Sequence, residues 1–153
     1  MTKNKKEFVD VDIFRASSKL FSSLYSRVRN CDIDIKRTVG DSLLKYVCIC
    51  GGYCKLSYKN AKNNKKMKLI YMIKAKQYIS AAEFNLNIMV SCGNFPGKKK
   101  DDEDEYIYLN GGSEISMNFG ELVMQLDNFI SSLEKNFTKE ELDDIYENIN
   151  IDL

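Results

Sequence analysis

Residues 36–92 read KRTVGDSLLKYVCICGGYCKLSYKNAKNNKKMKLIYMIKAKQYISAAEFNLNIMVSC, and their pattern decides the fold. Two apolar stripes lie on either side of a polar break. In the first, Val39, Leu43, Val47, Cys50 and Cys54 share one side at about 100° per residue, with Arg37, Lys45, Lys55 and Lys59 opposite or beside them. In the second, Leu69, Met72, Ala75, Ile79, Ala82, Leu86 and Val90 form the inner stripe, while Lys66, Lys74 and Gln77 face outward. Residues 60–66 (NAKNNKK) are polar and turn-forming, so the chain reverses between the stripes. The stretch predicts two antiparallel helices, residues 34–59 and a second that follows the turn to about residue 92. Phe84, Leu86 and Ile88 alternate with the period of a strand, and continuity with the preceding stripe favours the helix. Gly51 and Gly52 each weaken a helix by about 1 kcal/mol relative to alanine, which predicts either close packing of a neighbour or a kink.

Working outward, residues 1–10 read as a flexible basic start. Helix one covers about residues 12–30, where Leu20, Phe21, Leu24, Tyr25, Val28 and Cys31 recur at helical spacing. Asp32 or Asp34 is placed to accept bonds from the free amides that begin helix two. Residues 94–112 form the clear break, with the block Lys98–Lys99–Lys100 followed by five acids at 101–105; opposed charge blocks cannot build a core and read as a loop. Helix four covers about residues 116–136, with Phe119, Leu122, Val123, Leu126, Phe129, Ile130 and Leu133 on one face. Thr138 and Glu141 have the spacing of a capping box that opens a short acidic helix at 138–148. The expectation is a single all-α domain over residues 1–153: an up-down four-helix bundle with a long loop between helices three and four and a short C-terminal helix.

The net charge of +1 conceals a polarity along the chain. Residues 1–100 carry 21 Lys and Arg against 7 Asp and Glu, a net of +14; residues 101–153 carry 2 against 15, a net of −13. Such asymmetry suggests an anionic partner for the basic part, or an acidic segment that occupies the basic surface when the partner is absent. The acids at 101–105 are the expected masking segment.

Histidine is absent, which removes Ser-His-Asp, Cys-His and histidine-based zinc chemistry together. Five cysteines, an odd number, accompany no signal-peptide pattern and predict reduced thiols and a cytoplasmic location. Cys50 and Cys54 share a helix face from which Cys48 points away, so they read as core residues rather than metal ligands. The acids at 101–105 lack the glycine-centred spacing of a calcium loop, and Gly111-Gly112 lacks the residues of a phosphate loop. No apolar run approaches the roughly 20 residues of a membrane span. No catalytic, cofactor or metal site is assigned; acid–base work would fall to carboxylates such as Asp41 or Glu83, with no convergent partner.

The basic residues are the remaining candidate. Arg15, Arg27, Arg29, Lys36, Arg37, Lys55, Lys59, Lys62, Lys65, Lys66, Lys68 and Lys74 belong to several elements, and the helical hairpin gathers its lysines near residues 55–68. All of these except Arg15 form the candidate nucleic-acid surface, which would bind phosphates by releasing counterions. Lysine-rich solvated faces, and an adaptor whose basic and acidic surfaces pair with protein partners, are the alternatives.

The four-helix order, Arg37-Thr38-Val39-Gly40 at the start of helix two, Lys65-Lys66 at the start of helix three, and Ile115-Ser116-Met117-Asn118-Phe119-Gly120-Glu121-Leu122 at the start of helix four carry a resemblance over about residues 12–136. They resemble the four-helix-bundle family of the accessory variability determinants of diversity-generating retroelements and the ribosomal-RNA intervening-sequence proteins. The resemblance implies a non-catalytic basic bundle that assembles as a ring-like homopentamer and contacts a reverse transcriptase and RNA or DNA, with Arg37, Lys65 and Lys66 at matching positions. Two features depart from the family pattern: no proline introduces helix two, and the connection between helices three and four is longer.

Overall fold

A computed structural model describes residues 9–91 and 114–149, and every regular element in them is helical. Helix α1 spans Val9–Arg29. Helix α2 covers residues 33–60, in which a first α-helical turn, Ile33–Ile35, leads into a wider π-helical turn, Lys36–Gly40, and then into Asp41–Asn60. Helix α3 spans Lys65–Ser91, α4 spans Glu114–Glu134, and α5 spans Lys139–Glu147. The expected loop at 94–112 and its acidic block lie outside the described residues.

The apolar stripes meet in one core. Leu20, Leu24 and Val28 of α1, Leu43, Val47, Cys50 and Cys54 of α2, Leu69, Met72 and Ile79 of α3, and Leu122 and Leu126 of α4 are all buried within it. Burying one such aliphatic side chain contributes about 1.5–3 kcal/mol, against at most about 1 kcal/mol for an exposed ion pair, so the stripes dominate the assembly. Helix α2 packs on α1 and α3, and α4 packs on the same two helices. Specific contacts fix which ends meet: Asp10 at the start of α1 touches Ser57 near the end of α2, and Asn118 near the start of α4 donates from Nδ2 to Ser23 Oγ (3.3 Å) on α1. Lys76 of α3 pairs with Asp127 of α4. The strand-like alternation at Phe84–Ile88 is absorbed into α3, because Ala82, Leu86 and Met89 continue its buried stripe.

Three details depart from expectation. Helix α1 begins at Val9, so residues 9 and 10 are helical rather than part of a flexible start, and Asp10 is fully buried. Tyr25, expected on the inner face of helix one, is 45% exposed. Asp32 occupies the residue before α2 but makes no side-chain capping bond.

The two glycine regions of α2 have separate physical roles. A Cβ on Gly51 would lie 2.9 Å from Ser17 Oγ, so this glycine permits α1 to approach, whereas a Cβ on Gly52 would meet nothing within 4 Å. Close packing, rather than a kink, therefore accounts for Gly51. The π turn ends at Gly40, whose Cβ would lie 2.8 Å from Val28 Cγ1; the wider turn seats this backbone against the last turns of α1. Val39 in that turn is half-buried at the edge of the core.

Candidate nucleic-acid surface

The start of α3 is organised by its cap. Asn64 Oδ1 accepts the Met67 N–H (3.0 Å), and the Asn64 carbonyl accepts the Lys68 N–H (3.0 Å), so the helix begins immediately after the 60–64 turn. That turn places Lys55 and Lys59 from the last turns of α2, Lys62 from the turn itself, and Lys65 and Lys66 from the first turn of α3 at one end of the helices. All five are exposed. None has a carboxylate within ion-pair distance among the described residues. Lys65 Nζ donates to Asn136 Oδ1 (3.0 Å), a neutral partner that orients the ammonium without cancelling its charge.

The other sequence candidates stand apart from this group in three ways. Lys68 Nζ lies 2.6 Å from Asp10 Oδ2 and is only 14% exposed, so its charge is consumed inside the fold. Lys74 is half-buried, with Nζ 5.7 Å from the centre of the Tyr53 ring. Arg27, Arg29, Lys36 and Arg37 lie at the α1–α2 connection; from Arg37 to Lys55 the rise of α2 is about 27 Å at 1.5 Å per residue. The candidate surface is thus two basic groups at opposite ends of α2. In the second group the Arg29 guanidinium sits 5.5 Å over the Tyr25 ring, and Arg37 is exposed.

Asp10 is the charged residue that sequence reading missed. Its Oδ2 accepts both the Lys68 ammonium and the Ser57 hydroxyl (2.8 Å), while Oδ1 accepts the Val11 N–H (3.1 Å). A signal was present: stepping back from Leu24, Leu20, Ser17 and Ile13 at helical spacing lands on Asp10, on the buried stripe of α1. The Ser57–Asp10–Lys68 cluster has the composition of a nucleophile with its activators. Ser57 is fully buried and donates its hydroxyl to the carboxylate, so this geometry joins three helices and offers no access to a substrate.

Three thiols, those of Cys31, Cys48 and Cys54, are held in their protonated form. Burial, with Asp32 adding to it, pushes Cys31 up to about 11; burial raises Cys48 as well. Cys54 is raised first by its hydrogen bond with Cys50 and then by burial. Protonated thiols are poor nucleophiles and poor ligands, and no group of three His, Cys, Asp or Glu side chains is placed to hold a metal among the described residues. Asp41 and Glu83 are both exposed. No helix among the described residues is long and apolar enough to cross a membrane.

Beside the basic end, the acidic helix α5 meets α3. Lys66, Ile70 and Lys74 form one wall of a shallow crevice whose other wall is Asp144, Asn148 and Ile149. No known protein family, curated protein or solved structure matches this chain.

Proposed function

We propose that this chain is a non-enzymatic, up-down four-helix bundle that binds nucleic acid through the basic end formed by Lys55, Lys59, Lys62, Lys65 and Lys66. The observation that carries the reading is the concentration of five exposed lysines around the α2–α3 connection, without a carboxylate within ion-pair distance among the described residues. A protein that holds like charges together in this way bears their mutual repulsion, and a phosphate backbone relieves it by exchanging condensed counterions for lysines. Lysine ammoniums are point charges rather than planar forks of donors, which suits backbone contact more than the reading of base edges.

In the setting that the resemblance implies, the bundle assembles as a homo-oligomer, a pentamer, and serves a reverse transcriptase as an accessory; the odd cysteine count favours a reducing, cytoplasmic location. Lys65 and Lys66 then fall within the contact surface, and Arg37 engages a separate stretch of the same nucleic acid or a second subunit. Fluorescence anisotropy of labelled oligonucleotides at rising salt tests the binding. Five phosphate contacts correspond to a log–log slope of about −4.5 on duplex DNA and about −3.5 on a single strand. Binding that is absent at micromolar protein and low salt refutes the reading.

The adaptor reading draws on a different observation. Helix α5 carries five acids while the end around Lys55–Lys66 is basic, so the two surfaces can pair between subunits or with a protein partner. It predicts salt-sensitive self-association by light scattering with no affinity for oligonucleotides.

A further inference from the structure

We propose that α5 is a built-in acidic cover for the Lys66 side of the basic end and for the neighbouring Lys74, so that the chain restrains its own affinity for phosphate polymers. The inference rests on the nucleic-acid reading and specifies its regulation.

The argument begins with the charges of α5 itself. The segment Lys139–Glu147 carries Glu140, Glu141, Asp143, Asp144 and Glu147. The first two stand in the opening turn, where the positive end of the helix dipole favours them, and Glu141 also completes the capping box. Asp144 and Glu147 lie toward the other end, where the dipole opposes negative charge and a helix gains from lysine or arginine. Asp144 Oδ1 accepts the Asn148 side-chain amide (3.0 Å) at the helix end, while no such local bond holds Glu147 among the described residues. Asp144 also faces the crevice shared with Lys66 and Lys74, and Asp143 and Glu147 stand within one turn of it along α5.

The attachment of α5 is suited to release. Ile145 is its one buried residue, with Leu142 half-buried beside it. Tyr146 Oη donates to Glu134 Oε2 (2.6 Å), which is an exposed contact. The helix is therefore held by a small apolar footprint while its capping box keeps it helical. The screening length of about 10 Å at 0.1 M salt lets the α5 carboxylates act on Lys66 and Lys74 across the crevice. Arg29 and Arg37, near the far end of α2, are beyond that range.

Two full-length variants test the cover. D143N/D144N/E147Q removes charge while leaving the Ile145 footprint, and Ile145→Asp unseats the helix; circular dichroism establishes that each retains the helical fold. Affinity for a fluorescein-labelled oligouridine is read by anisotropy, and acylation of Lys66 and Lys74 is read by mass spectrometry against exposed Lys45. Both variants are expected to bind about threefold to tenfold more tightly at low salt, with the gain vanishing at high salt. Ile145→Asp is also expected to speed acylation of Lys66 and Lys74 relative to Lys45. If the wild-type chain binds and neither variant binds more tightly, the cover is refuted and the binding reading stands. Failure of all three proteins to bind overturns both.

Discussion

Lys68 Nζ lies 2.6 Å from Asp10 Oδ2, and the pair ties the second residue of α1 to the first turn of α3. Asp10 is fully buried while Lys68 retains 14% exposure, so the two partners are not equivalent when one is removed. Lys68→Met leaves a carboxylate in the core with Ser57 and the Val11 amide as its remaining partners. Asp10→Asn leaves an ammonium that can reach water. Breaking a buried pair costs about 3–5 kcal/mol, and the larger loss is expected for Lys68→Met. Urea denaturation of the two variants and the double variant checks the order; equal losses would show that the carboxylate is better solvated than its burial implies.

The adjacent glycines of α2 give a prediction with opposite signs. Gly51→Ala drives a methyl to 2.9 Å from Ser17 Oγ, which already donates to the Phe14 carbonyl at 2.7 Å, and is expected to cost about 1–3 kcal/mol. Gly52→Ala finds open space and is expected to stabilise by about 1 kcal/mol through helix propensity. Adding Ser17→Ala should recover part of the Gly51→Ala loss, because the next contact, Ser17 Cβ, lies at 3.7 Å. Thermal melts of these three variants and the Ser17→Ala single variant suffice.

Much of the fold was legible because burial in helices leaves a period. The inner stripes of α2, α3 and α4 and the Thr138–Glu141 capping box were readable in advance, as was the separation of Cys50 and Cys54 from exposed Cys48. Two things were not, and a third was only half visible. Asp10 falls on the buried period of α1, yet it follows a lysine-rich lead and looks solvated until the lysine and serine that satisfy it are brought from 58 and 47 residues away. The π turn at Lys36–Gly40 changes which carbonyl each amide reaches and seats Gly40 against Val28, a detail invisible in hydropathy. The basic residues looked like one surface because sequence lists charges in order; the length of α2 divides them into two.

Alkaline pH should loosen α5 at a defined point. Burial, then the hydrogen bond to Glu134 and the charge of that carboxylate, pushes Tyr146 up to about 12 from its ordinary 10.0. The folded state therefore keeps a proton that the unfolded segment gives up first. This contribution is whole below pH 10 and is lost as pH rises through 10 to about 12. Hydrogen exchange is too fast to follow there, so limited proteolysis at graded pH is the measurement. Cleavage within residues 138–149 should increase over that window in the wild-type chain, and Tyr146→Phe should flatten the dependence. A wild-type profile with no rise would contradict the contact.

The cap of α5 should act locally. Thr138 Oγ1 accepts the Glu141 N–H at 3.1 Å and Glu141 Oε1 accepts the Thr138 N–H at 2.8 Å. Thr138→Ala is expected to cost about 1 kcal/mol of α5 stability. Amide exchange near neutral pH should show faster exchange in α5 with α1–α4 unchanged; a global loss of protection would mean that α5 is part of the cooperative core.

The most direct test of the account is the salt dependence of oligonucleotide binding by the wild-type chain and by K55Q/K59Q/K62Q/K66Q, measured side by side. These lysines are exposed and outside the core, so the variant should keep its helical content. If this end carries the phosphate contacts, the variant binds more weakly, and its slope falls by about 0.7 per lysine on a single strand, or about 0.9 on duplex DNA. An unchanged slope and affinity would contradict the central claim and place the binding elsewhere on the molecule.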